Sequence, residues 1–143
     1  MRALLDVNVL IALLDANHLH HRRATEWMEE NAASGWASCP LTQNGCIRIM
    51  SQPSYPNAVP ASAIAERLRE AAALPLHQFW EDGISMLTPG LIDWSHILGS
   101  RQVTDAYLLA LAVKHKGRLV TLDKGITLLA VEDASQTSLE VIA

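Results

Sequence analysis

The chain predicts an α/β fold: a three-layer α/β/α sandwich around a central parallel sheet. Three observations carry this. Short apolar runs of strand length recur along the chain, amphipathic or apolar helical segments separate them, and 143 residues provide one domain's worth of core. Strands that alternate with helices form parallel sheets covered on both faces. No internal repeat or low-complexity segment interrupts the pattern, so residues 1–143 read as a single domain.

Residues 2–6 form the first short buried strand, and a turn at Asp6–Asn8 leads into a short helix to Leu14, with Asn8 as its N-cap. Residues 20–33 form a helix that buries Ala24, Trp27 and Met28, and Gly35 closes it. Residues 36–39 make a second strand, stopped by Pro40, and a helix follows from Leu41 to about Ser51. Three prolines mark 52–60 as a loop. Residues 61–73 are amphipathic, with Ile64, Leu68, Ala71 and Ala72 on one side, and Pro75 ends that helix. A strand over 76–80, a turn at Asp82-Gly83 and a short helix over 91–98 come next. Thr104-Asp105 opens a helix whose eight consecutive apolar residues, Ala106 to Val113, require burial nearly all round. Lys114, His115 and Lys116 suit its last turn, and Gly117 caps it. Residues 118–123 form a fourth strand ending in an acid, and 138–142 a last strand.

Composition excludes several classes. The formal net charge of −4 argues against a domain that coats nucleic acid by bulk charge, though not against local engagement through a metal. Cys39 and Cys46 have neither zinc-knuckle nor CxxC spacing and read as reduced thiols of a cytoplasmic protein. The apolar start is broken by Asp6 and Asn8, so neither a membrane span nor a signal peptide is expected there.

Three acids stand apart from the solvent-facing rest. Asp6 and Asp123 end predicted strands, and Asp105 sits at the start of the most apolar helix. In an open parallel sheet the C-terminal strand ends share one edge, where ligands bind. If the first and fourth strands are neighbours, their acids face one cleft and Asp105 joins them. Converging carboxylates with no paired base call for a cation, and an all-oxygen set selects Mg²⁺ or Mn²⁺. Such an ion supports phosphodiester hydrolysis by activated water. Each acid also has a plainer role: Asp105 as a helix-start acid, and Asp123 as a turn acid before Lys124-Gly125.

Leu5-Asp6-Val7-Asn8-Val9-Leu10, Thr104-Asp105-Ala106-Tyr107 and Val120-Thr121-Leu122-Asp123-Lys124-Gly125, in that order and spacing, resemble the PIN-domain family and within it the VapC-type toxins of type II toxin–antitoxin pairs. His20-His21 with Ala24 and Trp27, the Cys39–Gly45 stretch with Arg48, and His77–Trp80 extend the likeness over the whole chain. The resemblance implies an open Rossmann-like sheet and a Mg²⁺-dependent (or Mn²⁺-dependent) endoribonuclease. Asp6, Asp105 and Asp123 would hold metal, and Asn8 would orient the first acid or a water. It also implies an RNA substrate, a small antitoxin partner, a homodimer and a cytoplasmic location.

One departure stands out. Many PIN nucleases carry a Glu on the third helix where this chain has Gln43, and no acid occurs between Glu30 and Glu66. Three formal charges around the cation instead of four predict weaker metal affinity. The rival reading is therefore a PIN-fold binding module with a weakened site. A phosphorelay receiver is excluded because Asp6 is followed by Val7, not by a second acid. Thr104 and Thr121 are supporting candidates through their hydroxyls, or simply an N-cap and a strand residue. Arg48 either contacts RNA phosphate or packs its stem, and Arg101 is better placed for the cleft mouth. His20, His21, Arg22 and Arg23 read as a solvated basic face. Trp27 and Trp36 read as core, Trp80 and Trp94 as core or dimer contact.

Overall fold

The structure, a computed structural model, describes residues 1–142. The elements run β1 (Ala3–Leu5), α1 (Val7–Leu14), α2 (His21–Asn31), β2 (Trp36–Ser38), α3 (Pro40–Met50), α4 (Ala61–Ala72), β3 (His77–Phe79), α5 (Arg101–Lys114), β4 (Arg118–Thr121) and β5 (Leu139–Val141). The five strands form one sheet in the order β3-β2-β1-β4-β5, and every pairing is parallel.

Alternation along each strand divides the core in two. Ala3, Leu5 and Val120 face one side, where α1 to α4 supply Val9, Ile11, Trp27, Cys46 and Ile64. Leu4 and Leu119 face the other, where α5 buries Leu108, Leu109 and Leu111 with Trp80 and Ile92. This is the three-layer sandwich expected from the alternating pattern. Gly45 lets α3 approach α1 closely, since a Cβ there would lie 2.8 Å from Val7 Cγ2. Both cysteines are free and buried, as reduced thiols should be. No helix among the described residues is long and apolar enough to cross a membrane.

Four boundaries differ from expectation. Asp6, not Asn8, caps α1, accepting from the Val7 N–H through Oδ1 at 2.7 Å. α5 begins at Arg101, three residues before Thr104. β4 stops at Thr121, leaving Asp123 beyond the ladder. Residues 91–98 are not an α-helix: Ile92 bridges Val131 antiparallel, and one 3₁₀ turn spans Trp94–His96. The Asp93 side chain accepts from the Ser95 N–H, which closes that turn locally and competes with helix propagation. Trp27, Trp36 and Trp80 are buried, whereas Trp94 is 48% exposed.

Candidate active site

β1 and β4 are adjacent, with Leu5 opposite Val120, so the residues leaving their C-terminal ends lie at one sheet edge. The ladder continues one step as the Asp6 N–H donates to the Val120 carbonyl at 2.9 Å. Asp6 follows directly and is 6% exposed. An acid so buried needs partners. It accepts from the Val7 N–H through Oδ1, and from the Thr121 hydroxyl through Oδ2 at 2.7 Å.

Thr121, fully buried on the neighbouring strand, is the hub of this corner. Its Oγ1 also accepts from Asn8 Nδ2 at 3.2 Å and from the Asp123 N–H at 3.0 Å. One donation and two acceptances use the full capacity of a hydroxyl. Asn8 accepts from the Leu122 N–H at 3.1 Å, so it bridges α1 to the segment after β4. Asn8 thus reaches Asp6 through Thr121, and not by a bond of its own among the described residues.

Asp123 lies on the exposed side of this edge, two residues past β4. Its Oδ1 accepts from the Gly125 N–H at 2.7 Å, as a turn acid does. Asp105 is half-buried in the second turn of α5. It is therefore not a helix-start acid, and it accepts no hydrogen bond among the described residues. The three acids nonetheless act on one another. Burial pushes the Asp6 carboxyl above the usual range, against its two hydrogen bonds and with reinforcement from Asp123. Burial, then the charges of Asp6 and Asp123, pushes Asp105 up to about 6.

None of the ion pairs among the described residues involves Asp6, Asp105 or Asp123. Nor do any three His, Cys, Asp or Glu side chains among them stand close enough to enclose a metal ion. The site is an uncompensated negative corner rather than a closed cage. Its donor chemistry fits a hard divalent cation that keeps part of its water shell, as Mg²⁺ does.

The remaining candidates divide. Gln43 Nε2 donates to Ser38 Oγ at 3.0 Å, and Ser38 Oγ lies 2.8 Å from His77 Nε2. Gln43 is therefore tied to the end of β2 by its amide. Neither Ser38 nor His77 is a site candidate in the sequence, though His77 belongs to a stretch that carries the resemblance. The first carried a usable signal, a polar residue ending a strand, while the second depends on β2–β3 register. Arg48 and Arg101 are exposed, as is Thr104, which sits inside α5 rather than capping it. Among the described residues none of these three makes a side-chain hydrogen bond or ion pair with the acids. Between α1, α2 and α4 runs an apolar groove of about 370 Å³ lined by Leu10, Leu14, Met28, Leu68, Leu74 and Leu76.

Comparison with known proteins identifies the family and the fold. A family model described as "PIN domain" matches residues 3–132. Ribonuclease VapC44 of Mycobacterium tuberculosis is 48% identical over 142 residues, covering 99% of this chain and 100% of that protein. Ribonuclease VapC39 of the same organism is 40% identical, with 99% and 100% covered. Among solved structures, VapBC2 from Rickettsia felis, bound to a DNA fragment from its promoter, aligns with a TM-score of 0.55 at 12% identity. That alignment covers 86% of this chain and 89% of the other, a likeness of fold alone.

Proposed function

The chain belongs to the PIN domain family, and on that premise we propose that it is the ribonuclease toxin of a toxin–antitoxin pair, hydrolysing RNA phosphodiester bonds with Mg²⁺ or Mn²⁺. The observation that carries this reading is the corner itself. Asp6, Asp105 and Asp123 sit at one sheet edge, and Asp105 is pushed up to about 6 partly by the other two. Relatives at 40–48% identity over nearly the whole chain bear ribonuclease names, which supports RNA as substrate.

Asp6, Asp105 and Asp123 would hold the cation. When bound, it would polarise a phosphate oxygen and make water more acidic. The chain's own part is positional. Thr121 and the Val7 N–H fix both oxygens of Asp6, so that carboxylate cannot turn away. Asn8 holds Thr121 and the Leu122 backbone together, which sets the path by which the chain reaches Asp123. Asp105 accepts no hydrogen bond among the described residues, so both of its oxygens would be available to the cation. Arg48 and Arg101, both exposed, would contact RNA phosphates.

The partner in this reading is a small antitoxin. A basic tail would neutralise the acidic corner, and an amphipathic segment would cover the apolar groove of α1, α2 and α4. A homodimer working in the cytoplasm completes the proposal. The test is cleavage of total RNA by purified protein with Mg²⁺ or Mn²⁺, beside Asp105→Asn. Loss of cleavage in the variant supports the nuclease. Equal cleavage by both, or none by the wild type, rejects it, and the second result leaves a binding module.

A further inference from the structure

We propose that the recess beside Trp94 is a nucleobase subsite, in which the indole stacks an unpaired base of single-stranded RNA and Glu132 reads a guanine edge. The proposal rests on the RNA reading above and adds how that RNA is recognised.

The recess, about 510 Å³, lies between the 3₁₀ turns at 94–96 and 128–130 and is lined by Gly90, Ile92, Trp94, His96, Leu128 and Glu132 among others. It adjoins the acidic corner: Leu129 and Val131 line the recess, and Ala130 between them lines the crevice at Asp105. Ala130 and Ile97 line a small crevice with Asp105. The Asp93 N–H donates to the Ala130 carbonyl at 2.9 Å, and the Ile97 N–H to the Trp94 carbonyl at 3.1 Å. The Trp94 carbonyl is thus tied to Ile97, and its neighbour Asp93 to Ala130, and both of those partners line the crevice with Asp105. Topology agrees: the turn holding Trp94 immediately precedes α5, and the turn it packs on follows Asp123, so both belong to the edge where the acids gather.

The lining chooses the occupant. A 48% exposed indole is costly to leave in water and offers a π-face. Base-on-aromatic stacking is how single strands are commonly held. Asp93 and Glu132 make the recess unsuited to phosphate and to the charge-depleted centre of a protein–protein contact. Asp93 is already occupied by Ser95. Glu132 has no hydrogen-bond partner among the described residues, and its Oε2 lies 3.5 Å from where a Cβ on Gly90 would be. A carboxylate accepts only, and guanine presents two adjacent N–H donors on its Watson–Crick edge, where adenine and uracil do not.

The test measures anisotropy of labelled hexamers UUGUUU, UUAUUU and UUUUUU in Mg²⁺, in the Asp105→Asn background. Trp94→Ala is expected to weaken UUGUUU by about tenfold or more, with Trp94→Phe within about threefold of the parent. Glu132→Gln is expected to abolish the preference for UUGUUU over UUAUUU while leaving UUAUUU unchanged. Binding by a folded Trp94→Ala variant within about twofold of the parent on all three hexamers would overturn the proposal. So would conversion of a dimer to a monomer by Trp94→Ala in sedimentation, which would assign the surface to a second copy. If wild type cleaves RNA while Trp94→Ala binds normally, this subsite falls and the nuclease stands. If wild type does not cleave but hexamer binding still depends on Trp94, the reverse holds.

Discussion

The Thr121 hydroxyl donates to Asp6 Oδ2 at 2.7 Å across two adjacent parallel strands. Because the same oxygen accepts from Asn8 and from the Asp123 backbone, one side chain joins both strand ends that carry acids.

Thr121→Val keeps the shape and removes the hub. Three groups lose a partner, one of them on the buried Asp6. Stability should fall by about 1–3 kcal/mol, the usual cost of stranding a buried polar group. RNA cleavage per folded molecule should drop about 10–100-fold, as for lost outer-shell partners of metal ligands. Thr121→Ser should restore most of both. Urea denaturation and a cleavage assay check this, and a valine variant as active as wild type contradicts it.

Asp105 sets a pH dependence of stability in the metal-free protein. Its folded value is pushed from 3.8 to about 6, so between those values the folded state binds more protons than the unfolded one. Stability should therefore fall as pH rises through that window and stay lower above it. Raised Asp6 acts in the same direction. Asp105→Asn should raise the melting temperature at about pH 7.5 and leave it nearly unchanged near pH 4. Calorimetric scans with EDTA read both, and a metal-free wild type most stable at neutral pH would refute the assignment.

Gln43→Glu should tighten Mg²⁺ or Mn²⁺ binding, and the geometry adds a second effect. Gln43 donates to Ser38 Oγ, leaving the serine proton for His77 Nε2. A carboxylate cannot donate, so the serine would turn its proton to Glu, and His77 would gain by becoming a donor. Burial now holds His77 below its ordinary value. Its pKa, followed by NMR, should rise in the variant, while calorimetry reads the metal. No change in metal affinity, His77 titration or cleavage rate would defeat both claims.

Glu140 on β5 accepts from Trp27 Nε1 on α2 and pairs with Arg118 at 2.8 Å, while Arg118 reaches Asn31 at 3.2 Å. Glu140→Ala leaves a largely covered guanidinium without its anion. Destabilisation of about 2–4 kcal/mol is expected, with cleavage per folded molecule unchanged. Chemical denaturation beside the RNA assay separates the two, and an equally stable variant would show this cluster to be idle.

The layers were legible because strand-length apolar runs alternate with helical ones, and Asp6 because an acid between Leu5 and Val7 has no simple surface role. Less legible was anything set by where an element begins. Ser100 is the N-cap of α5 but makes no side-chain cap bond, and Thr104, the polar residue nearest the apolar run, looked like the start instead, which made Asp105 look like a helix-start acid. Asp123 looked buried because 118–123 read as strand, but the ladder ends at Thr121 and the acid emerges into a turn. Residues 91–98 have helical spacing, yet Ile92 pairs with Val131, a partner that only tertiary packing supplies. The tie of Gln43 to Ser38 and His77 likewise depends on β2–β3 register, which no local pattern encodes.

The three carboxylates differ in how tightly they are moored. Asp6 is gripped at both oxygens, Asp123 at one, and Asp105 at neither by any described residue. Stiffness therefore declines from β1 outward to α5. A guest ion would meet one fixed wall and one compliant wall, and differences in ionic radius would be absorbed mainly by rotation of Asp105. Discrimination between Mg²⁺ and Mn²⁺ would then be shallow, and immobilising Asp105, rather than adding charge, would be the way to sharpen it.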